Sequence, residues 1–266
     1  MKTVVMADVH NYIDTAQFIL DSEDADEYVF LGDIFDSFFD TEHIALKTAK
    51  WLETILNRDD CVVTWGNHDV PYRYTMNKWA SCPGFNHEKC RAINSAIHYL
   101  WDKFKWYYKT QGWYISHAGL HEDIFCHPVK GFSDEELDKV IEKGITHLNS
   151  GVDANHCRMG LRMGFGRVGG CTWADWDEFK PIEGVNQIVG HTPHACARVK
   201  YLKKHRSSHK QISIINSIFE NQKPSDDKIL SLNYCIDCGG HKYAVIQDGK
   251  VEIKQNTMLI GKGYQS

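Results

Sequence analysis

The 266-residue sequence contains no run approaching about eighteen uncharged apolar residues, which excludes a membrane-spanning helix. Its N-terminus, MKTVVMADVH, lacks the charged, apolar and small-residue succession of a secretory leader and reads straight into a strand. The expectation is a soluble, cytoplasmic protein. Proline is scarce, at six residues, and no linker, internal repeat or low-complexity tract interrupts the chain, so residues 1–266 are expected to form one domain. An excess of positive charge is also missing. The 30 Lys and Arg against 35 Asp and Glu leave a net charge of −5, which argues against a nucleic-acid coat or a binder of membrane surfaces. The nine cysteines are an odd number in a chain too long to need stapling, and reduced thiols are expected.

What the sequence does have is an ordinary apolar content of 42%, enough for a full core, and 15 histidines that repeatedly sit beside Asp, Asn and Gly. Metal chemistry is therefore the first expectation. Alternating or apolar runs at Lys2 to Ala7, Glu27 to Leu31 and Cys61 to Trp65 predict three strands, with helices near Thr15 to Leu20 and Glu42 to Asn57 between them. The second helix would bury Ile44, Thr48, Trp51, Leu52 and Ile55. Further strands are predicted at Trp113 to Ser116 and Gln187 to Val189. Strands alternating with helices imply a mostly parallel sheet holding all five. From about Cys196 the alternation resembles antiparallel pairs, expected to form a second sheet, with a two-residue turn at Asp248-Gly249.

The informative residues follow the predicted strands: Asp8-Val9-His10, Gly32-Asp33-Ile34-Phe35-Asp36, Gly66-Asn67-His68-Asp69, His117-Ala118-Gly119 and Gly190-His191-Thr192. The carboxyl ends of parallel strands share one edge, where α/β proteins place their sites. Five such tips would bring Asp, His and Asn side chains into one crevice. A single Asp-x-His recurs by chance, and turn residues are common at strand ends, but five polar tips together are not explained that way.

This ordered set resembles the calcineurin-like metallophosphoesterase superfamily. The spacings, 25 residues from Asp8 to Asp33, 34 on to Asn67, 50 on to His117 and 74 on to His191, are most similar to its phosphoprotein-phosphatase branch and related bacterial and phage enzymes. The resemblance implies an α/β fold, a four-layer α/β/β/α sandwich of two mixed sheets flanked by helices, around a dinuclear centre. It also implies that Asp8 and His10 bind the first metal, that Asp33 bridges both, and that Asn67, His117 and His191 complete the second. Carboxylate, imidazole and amide oxygen without thiolate suit Mn²⁺ first, with Fe, Zn²⁺ or Ni²⁺ as alternatives. Two such ions roughly 3.5–4 Å apart would activate a bridging hydroxide for in-line attack on phosphorus. The resemblance further makes His68 the general acid, with Asp36 orienting it.

Three departures bear on the substrate. The Arg-Gly that the phosphatase branch carries after the second Asp of G-D-x-x-D is here Ser37-Phe38. The second His of the G-H-x-H motif found in other members falls on Pro193, with His194 next to it. Asp69 stands where that branch has Glu and is expected to cap the following turn. A phosphoryl group still needs cationic partners, and Arg167, in a glycine-rich loop, and Arg73 are the candidates. A phosphate monoester, in a phosphoprotein or a small molecule, is the expected substrate. The alternative is a nucleotide-type substrate, a dinucleoside polyphosphate or phosphodiester, held by the aromatic-rich helical insert at about residues 72–112. A non-catalytic metal-dependent scaffold ranks below both, and the same insert reads more simply as packing. Cys235 and Cys238 are expected as buried thiols rather than zinc ligands. The basic run from Arg198 to Lys210 is expected at an exposed hairpin tip, and Asp237-Cys238-Gly239 resembles a D-x-G turn of bacterial members without a role derivable from the residues.

Overall fold

The computed structural model describes residues 1–37, 39–125, 129, 131–204, 212–217 and 228–259. In chain order these form β1 (Lys2–Met6), α1 (Ile13–Ser22), β2 (Glu27–Phe30), α2 (Glu42–Leu56), β3 (Cys61–Val63), α3 (Val70–Arg73), α4 (His87–Ile97), β4 (Tyr108–Thr110), β5 (Trp113–Ile115), α5 (Asp134–Asn149), β6 (Asn186–Val189), β7 (Arg198–Lys204), β8 (Ile212–Ser217), β9 (Lys228–Cys235), β10 (Lys242–Gln247) and β11 (Lys250–Gln255), joined in places by short 3-10 turns. No helix among them is long and apolar enough to cross a membrane.

Two mixed sheets face each other, in the orders β11-β10-β1-β2-β3 and β4-β5-β6-β9-β7-β8. The period of two in each strand builds the layers. Val5, Val29 and Leu31 of the first sheet meet Ile115, Ile188, Val199 and Tyr234 of the second in an inner core. The alternate residues Val4, Met6, Tyr28 and Phe30 turn outward against α1 and α2. On the far face of the second sheet, Val189 and Cys235 are covered by the stacked rings of Trp176 and Phe179.

The structure corrects the expectation of one parallel sheet carrying all five tips. β1, β2 and β3 pair in parallel in the first sheet, whereas β5 and β6 pair in parallel in the second. The C-terminal strands do not stand apart either: β10 and β11 join the first sheet beside β1, and β7, β8 and β9 join the second beside β6. The turn at Asp248-Gly249, with φ of 51° and 74°, connects β10 to β11 as the sequence implies.

On α2 the buried face is Ala45, Thr48, Ala49, Leu52, Ile55 and Leu56 rather than one containing Ile44 and Trp51. Ile44 is exposed, and Trp51 lies half-buried with its indole N–H donated to Gln17. The reason is α4, which packs along α2 and needs small residues for a close approach. The aromatic-rich insert is chiefly packing: Trp65 stacks on Trp101 and Trp106, and Tyr72 meets Phe35. The basic run from Arg198 is no exposed tip over residues 198–204, since these form β7 and bury Lys200, whose Nζ donates to the carbonyls of Trp176 and Phe179. Its remainder, His205 to Lys210, lies outside the described residues.

His156 is fully buried, edge-on to Trp106 at 4.2 Å, and burial holds its pKa down at about 3. Folding thus requires a neutral ring. As pH falls below the ordinary value of 6.5, the unfolded chain takes up a proton that the folded one refuses, so stability falls with it. Relative to His156→Leu, the wild type is expected to lose about 2 kcal/mol between pH 7 and pH 5 in urea unfolding. Parallel pH profiles for the two proteins would contradict this account.

Candidate metal centre

Although divided between two sheets, the five strand tips converge. The backbone N–H groups of Val9 and His10 donate to the Asp33 carbonyl, which binds the first tip to the second. His191 N–H donates to the Asp8 carboxylate at 3.1–3.2 Å, which ties the sheets together at the site. Glycine is obligatory at two contacts. A Cβ on Gly190 would lie 2.3 Å from Asp8 Oδ2, and one on Gly66 would lie 2.1 Å from the Asp33 nitrogen. His10, Asp33, Asp36 and His191 adopt φ of 43°, 47°, 63° and 66°, left-handed conformations that cost non-glycine residues about 1–3 kcal/mol each and concentrate at functional sites.

Two groups of donors result, Asp8, His10 and Asp33 on one side and Asp33, His117 and His191 on the other, the ligand atoms of each lying within 4.8 Å of one another. Asp33 belongs to both. Its Oδ2 lies 3.6 Å from His10 Nε2 and 3.4 Å from His117 Nε2. The far nitrogens of these imidazoles are already engaged: His10 Nδ1 with the Asp36 carbonyl at 2.6 Å, and His117 Nδ1 with the Leu31 carbonyl at 2.7 Å. Donating from Nδ1, each ring turns Nε2 towards Asp33, where the carboxylates favour a proton until a cation takes its place.

Asn67 tests whether a cation fits. Its inward amide position lies 2.9 Å from His117 Nε2, 2.9 Å from His191 Nδ1, 3.3 Å from Asp33 Oδ2 and 3.1 Å from the Thr172 carbonyl. With the oxygen inward, the outward amide N–H donates to Cys82 Sγ at 3.3 Å. The inward oxygen then stands among carboxylate and imidazole acceptors, an arrangement that a bound cation satisfies; without one, the amide turned over donates its N–H to the same atoms. The residues fit a divalent metal.

Electrostatics distinguish the groups. Burial raises the Asp33 carboxyl, but His117, His68 and His10 around it outweigh burial and hold it well below the usual carboxylate range. Burial also acts against protonation of His117, yet Asp33 and Asp8 bring that ring up to about 10. His191 lies well below the ordinary histidine value, through burial and then the charge of His117, with Arg162 contributing. Asp8 is raised, by burial above all.

His68, 22% exposed, places Nδ1 3.1 Å from Asp36 Oδ2. Burial raises the Asp36 carboxyl, but hydrogen bonds from His68, Lys89 and Tyr72 bring it below its ordinary value. Asp69 does not cap α3, contrary to the expectation. It is fully buried and accepts from the N–H groups of Gly66 and Ile34, joining the second tip to the third. Arg167 is ion-paired with Asp153, and Arg73 lies 3.8 Å from Asp102, so neither is directed into the donor cluster by its partner. His194 turns to Cys196 rather than towards the first donor group.

Three residues have surroundings that the sequence did not assign. Arg162, paired with Asp175 at 3.4 Å, is near enough for its charge to reach His191. Asp237, whose role the motif left open, lines a cavity of about 70 Å³ together with Asp8 and His10, and burial followed by the charge of Asp8 brings its pKa to about 7. Lys89 is buried against Asp36. No spacing rule points to any of them.

Among curated proteins none matches the sequence. Among solved structures, the chain is similar to a protein serine/threonine phosphatase from Saccharomyces cerevisiae, itself similar to human phosphatase PP5, with 12% identity and a TM-score of 0.48, covering 96% of this chain and 80% of that one. It is likewise similar to a metallophosphoesterase from Sphaerobacter thermophilus, with 13% identity, a TM-score of 0.43 and coverage of 96% and 87%. TT1561 of Thermus thermophilus gives 9% identity, a TM-score of 0.40 and coverage of 96% and 98%. A family model for calcineurin-like phosphoesterases matches residues 1–195, a span that includes every strand tip from Asp8 to His191. The chain belongs to the calcineurin-like phosphoesterase family, whose members hydrolyse phosphate esters with divalent metals.

Proposed function

We propose that this protein is a phosphatase acting on phosphate monoesters, of phosphoproteins or small molecules, through two divalent cations, Mn²⁺ foremost, with His68 as general acid. The observation that carries the reading is Asp33, which belongs to both donor groups and whose Oδ2 lies 3.6 Å from His10 Nε2 and 3.4 Å from His117 Nε2. On this reading Asp8, His10 and Asp33 hold one ion, and Asp33, Asn67, His117 and His191 the other. When bound, the cations polarise phosphoryl oxygens and bring the pKa of water towards neutrality. His68, held at Nδ1 by Asp36, delivers the Nε2 proton to the leaving oxygen as the P–O bond breaks. Arg167, Arg73 and Arg162 are the candidate grips for the phosphoryl group, each with one terminal nitrogen now beside a carboxylate.

The nucleotide alternative needs aromatic faces open to a base. Tyr72, Trp101, Phe104 and Trp106 are buried and closed to one, whereas Tyr99 is exposed and Tyr74, Trp79, Phe85 and Tyr107 are part-exposed, so the diester arm of the test decides between the readings. A scaffold would not need the His68–Asp36 pair.

The test is hydrolysis of aryl and alkyl phosphate monoesters and the matching aryl diester by metal-stripped protein with added Mn²⁺, beside His68→Ala. Metal-dependent turnover favouring monoesters is expected. His68→Ala should slow the alkyl ester by about 10²–10⁴-fold and p-nitrophenyl phosphate, whose leaving group needs little protonation, much less. Preference for the diester, or no turnover with Mn²⁺, Zn²⁺, Fe²⁺ or Ni²⁺, would overturn the assignment.

A further inference from the structure

Lys89 is 2% exposed, a state that lysine rarely adopts unless paired. Its Nζ lies 2.5 Å from Asp36 Oδ1 and 3.1 and 3.2 Å from the two carboxylate oxygens of Asp40. The Tyr72 hydroxyl donates to the same Oδ1 of Asp36 at 2.5 Å. The other oxygen, Oδ2, accepts from His68 Nδ1. Asp40 in turn accepts from Asn11, which follows His10.

The lysine's place in its helix is informative. Lys89 sits in the first turn of α4, where its N–H donates to the cap residue Asn86. A cation is disfavoured at a helix N-terminus, and an apolar residue would pack there without desolvating a charge. The carboxylates therefore account for this residue, and cohesion of the helix does not.

We propose that Lys89 is a positioning residue for proton transfer to the leaving group: with Tyr72 it occupies Oδ1 of Asp36, fixes the carboxylate plane and so presents Oδ2 to His68 Nδ1. Asp36 is thereby held on three sides, by Lys89, Tyr72 and His68. The inference rests on the reading of His68 as general acid, so its test must separate the two.

The experiment measures kcat and KM of the full, Mn²⁺-loaded chain on a series of phosphate monoesters, from p-nitrophenyl through phenyl to an alkyl ester. Wild type, Lys89→Met, Tyr72→Phe and His68→Ala are compared, with bound metal quantified in each. Lys89→Met is expected to lower kcat for the poor leaving groups by about 10–100-fold more than for p-nitrophenyl phosphate, with KM and bound metal little changed. Tyr72→Phe, which leaves the buried charges paired, should show the same bias more weakly, and it decides the matter where Lys89→Met does not fold. Equal slowing for all leaving groups in both variants, or loss of metal as the cause of the slowing, would overturn the role of Lys89 alone. An unbiased loss in His68→Ala would remove the acid itself, and the role of Lys89 with it.

Discussion

Replacing Asp33 by alanine is expected to abolish metal-dependent phosphoester hydrolysis, lowering kcat by on the order of 10³-fold or more, at least about 4 kcal/mol of transition-state stabilisation. The size follows from position. Asp33 is the residue common to both donor groups, so one substitution disables two sites rather than one. Its Oδ1 also accepts the His68 N–H at 2.9 Å, so the backbone of the third tip loses its anchor as well. A readout independent of turnover is available. Mn²⁺ that binds only the folded wild type raises its melting temperature by mass action, and Asp33→Ala should show little such rise. A variant that still gained the full stabilisation from Mn²⁺ would show that the ions sit elsewhere.

The second large effect is expected from Gly66→Ala, which adds one methyl group. That Cβ would meet the Asp33 nitrogen at 2.1 Å, its Oδ1 at 2.2 Å and its Cα at 2.8 Å. Two of the three are backbone atoms, which cannot turn aside as a flexible side chain can. The loops after β2 and β3 must separate, which pulls Asp33 from His10 and His117 and breaks the Gly66 N–H bond to Asp69. A loss of about 3 kcal/mol in stability is expected, with weakened Mn²⁺ binding. Gly112→Ala is the control. It has φ of +82° but nothing within 4 Å of the added atom, so it should cost about 1 kcal/mol and leave metal binding intact. Equal melting temperatures for the two variants would mean that the tips do not interlock as described.

The contrast between these glycines shows what was legible in the sequence. The strand tips were, because Gly, Asp, Asn and His after an apolar run mark a strand end whatever sheet the strand joins. Sheet membership was not. β5 and β6 have the same local pattern as β1 to β3, and their partners are chosen by pairings across more than seventy residues, such as Trp113 with Asn186. The buried face of α2 is not the most hydrophobic one: Ile44 is exposed, while the small Ala45 and Ala49 are fully buried in a helix that packs along α4. Asp69 illustrates a third limit: its neighbours in sequence suggest a cap, yet its partner Ile34 is 35 residues away. Lys89 and Arg162 belong to the same class, since charged side chains acquire their roles from distant partners that no local spacing announces.

The arrangement of strands has a consequence for the order in which the molecule can be built. β1 carries Asp8 at its tip, yet one of its two neighbours is β10, with Lys2 opposite Gln247. β6, which leads into His191, is flanked on one side by β9. A chain emerging from the ribosome thus presents two incomplete sheet edges, next to the residues that form the centre, until β9 and β10 have followed. Exposed edges invite pairing with other chains, and contacts this distant in sequence close slowly. The centre therefore matures only once β9 and β10 have been made, and the nascent chain is most vulnerable to mispairing at the strands that bear its chemistry.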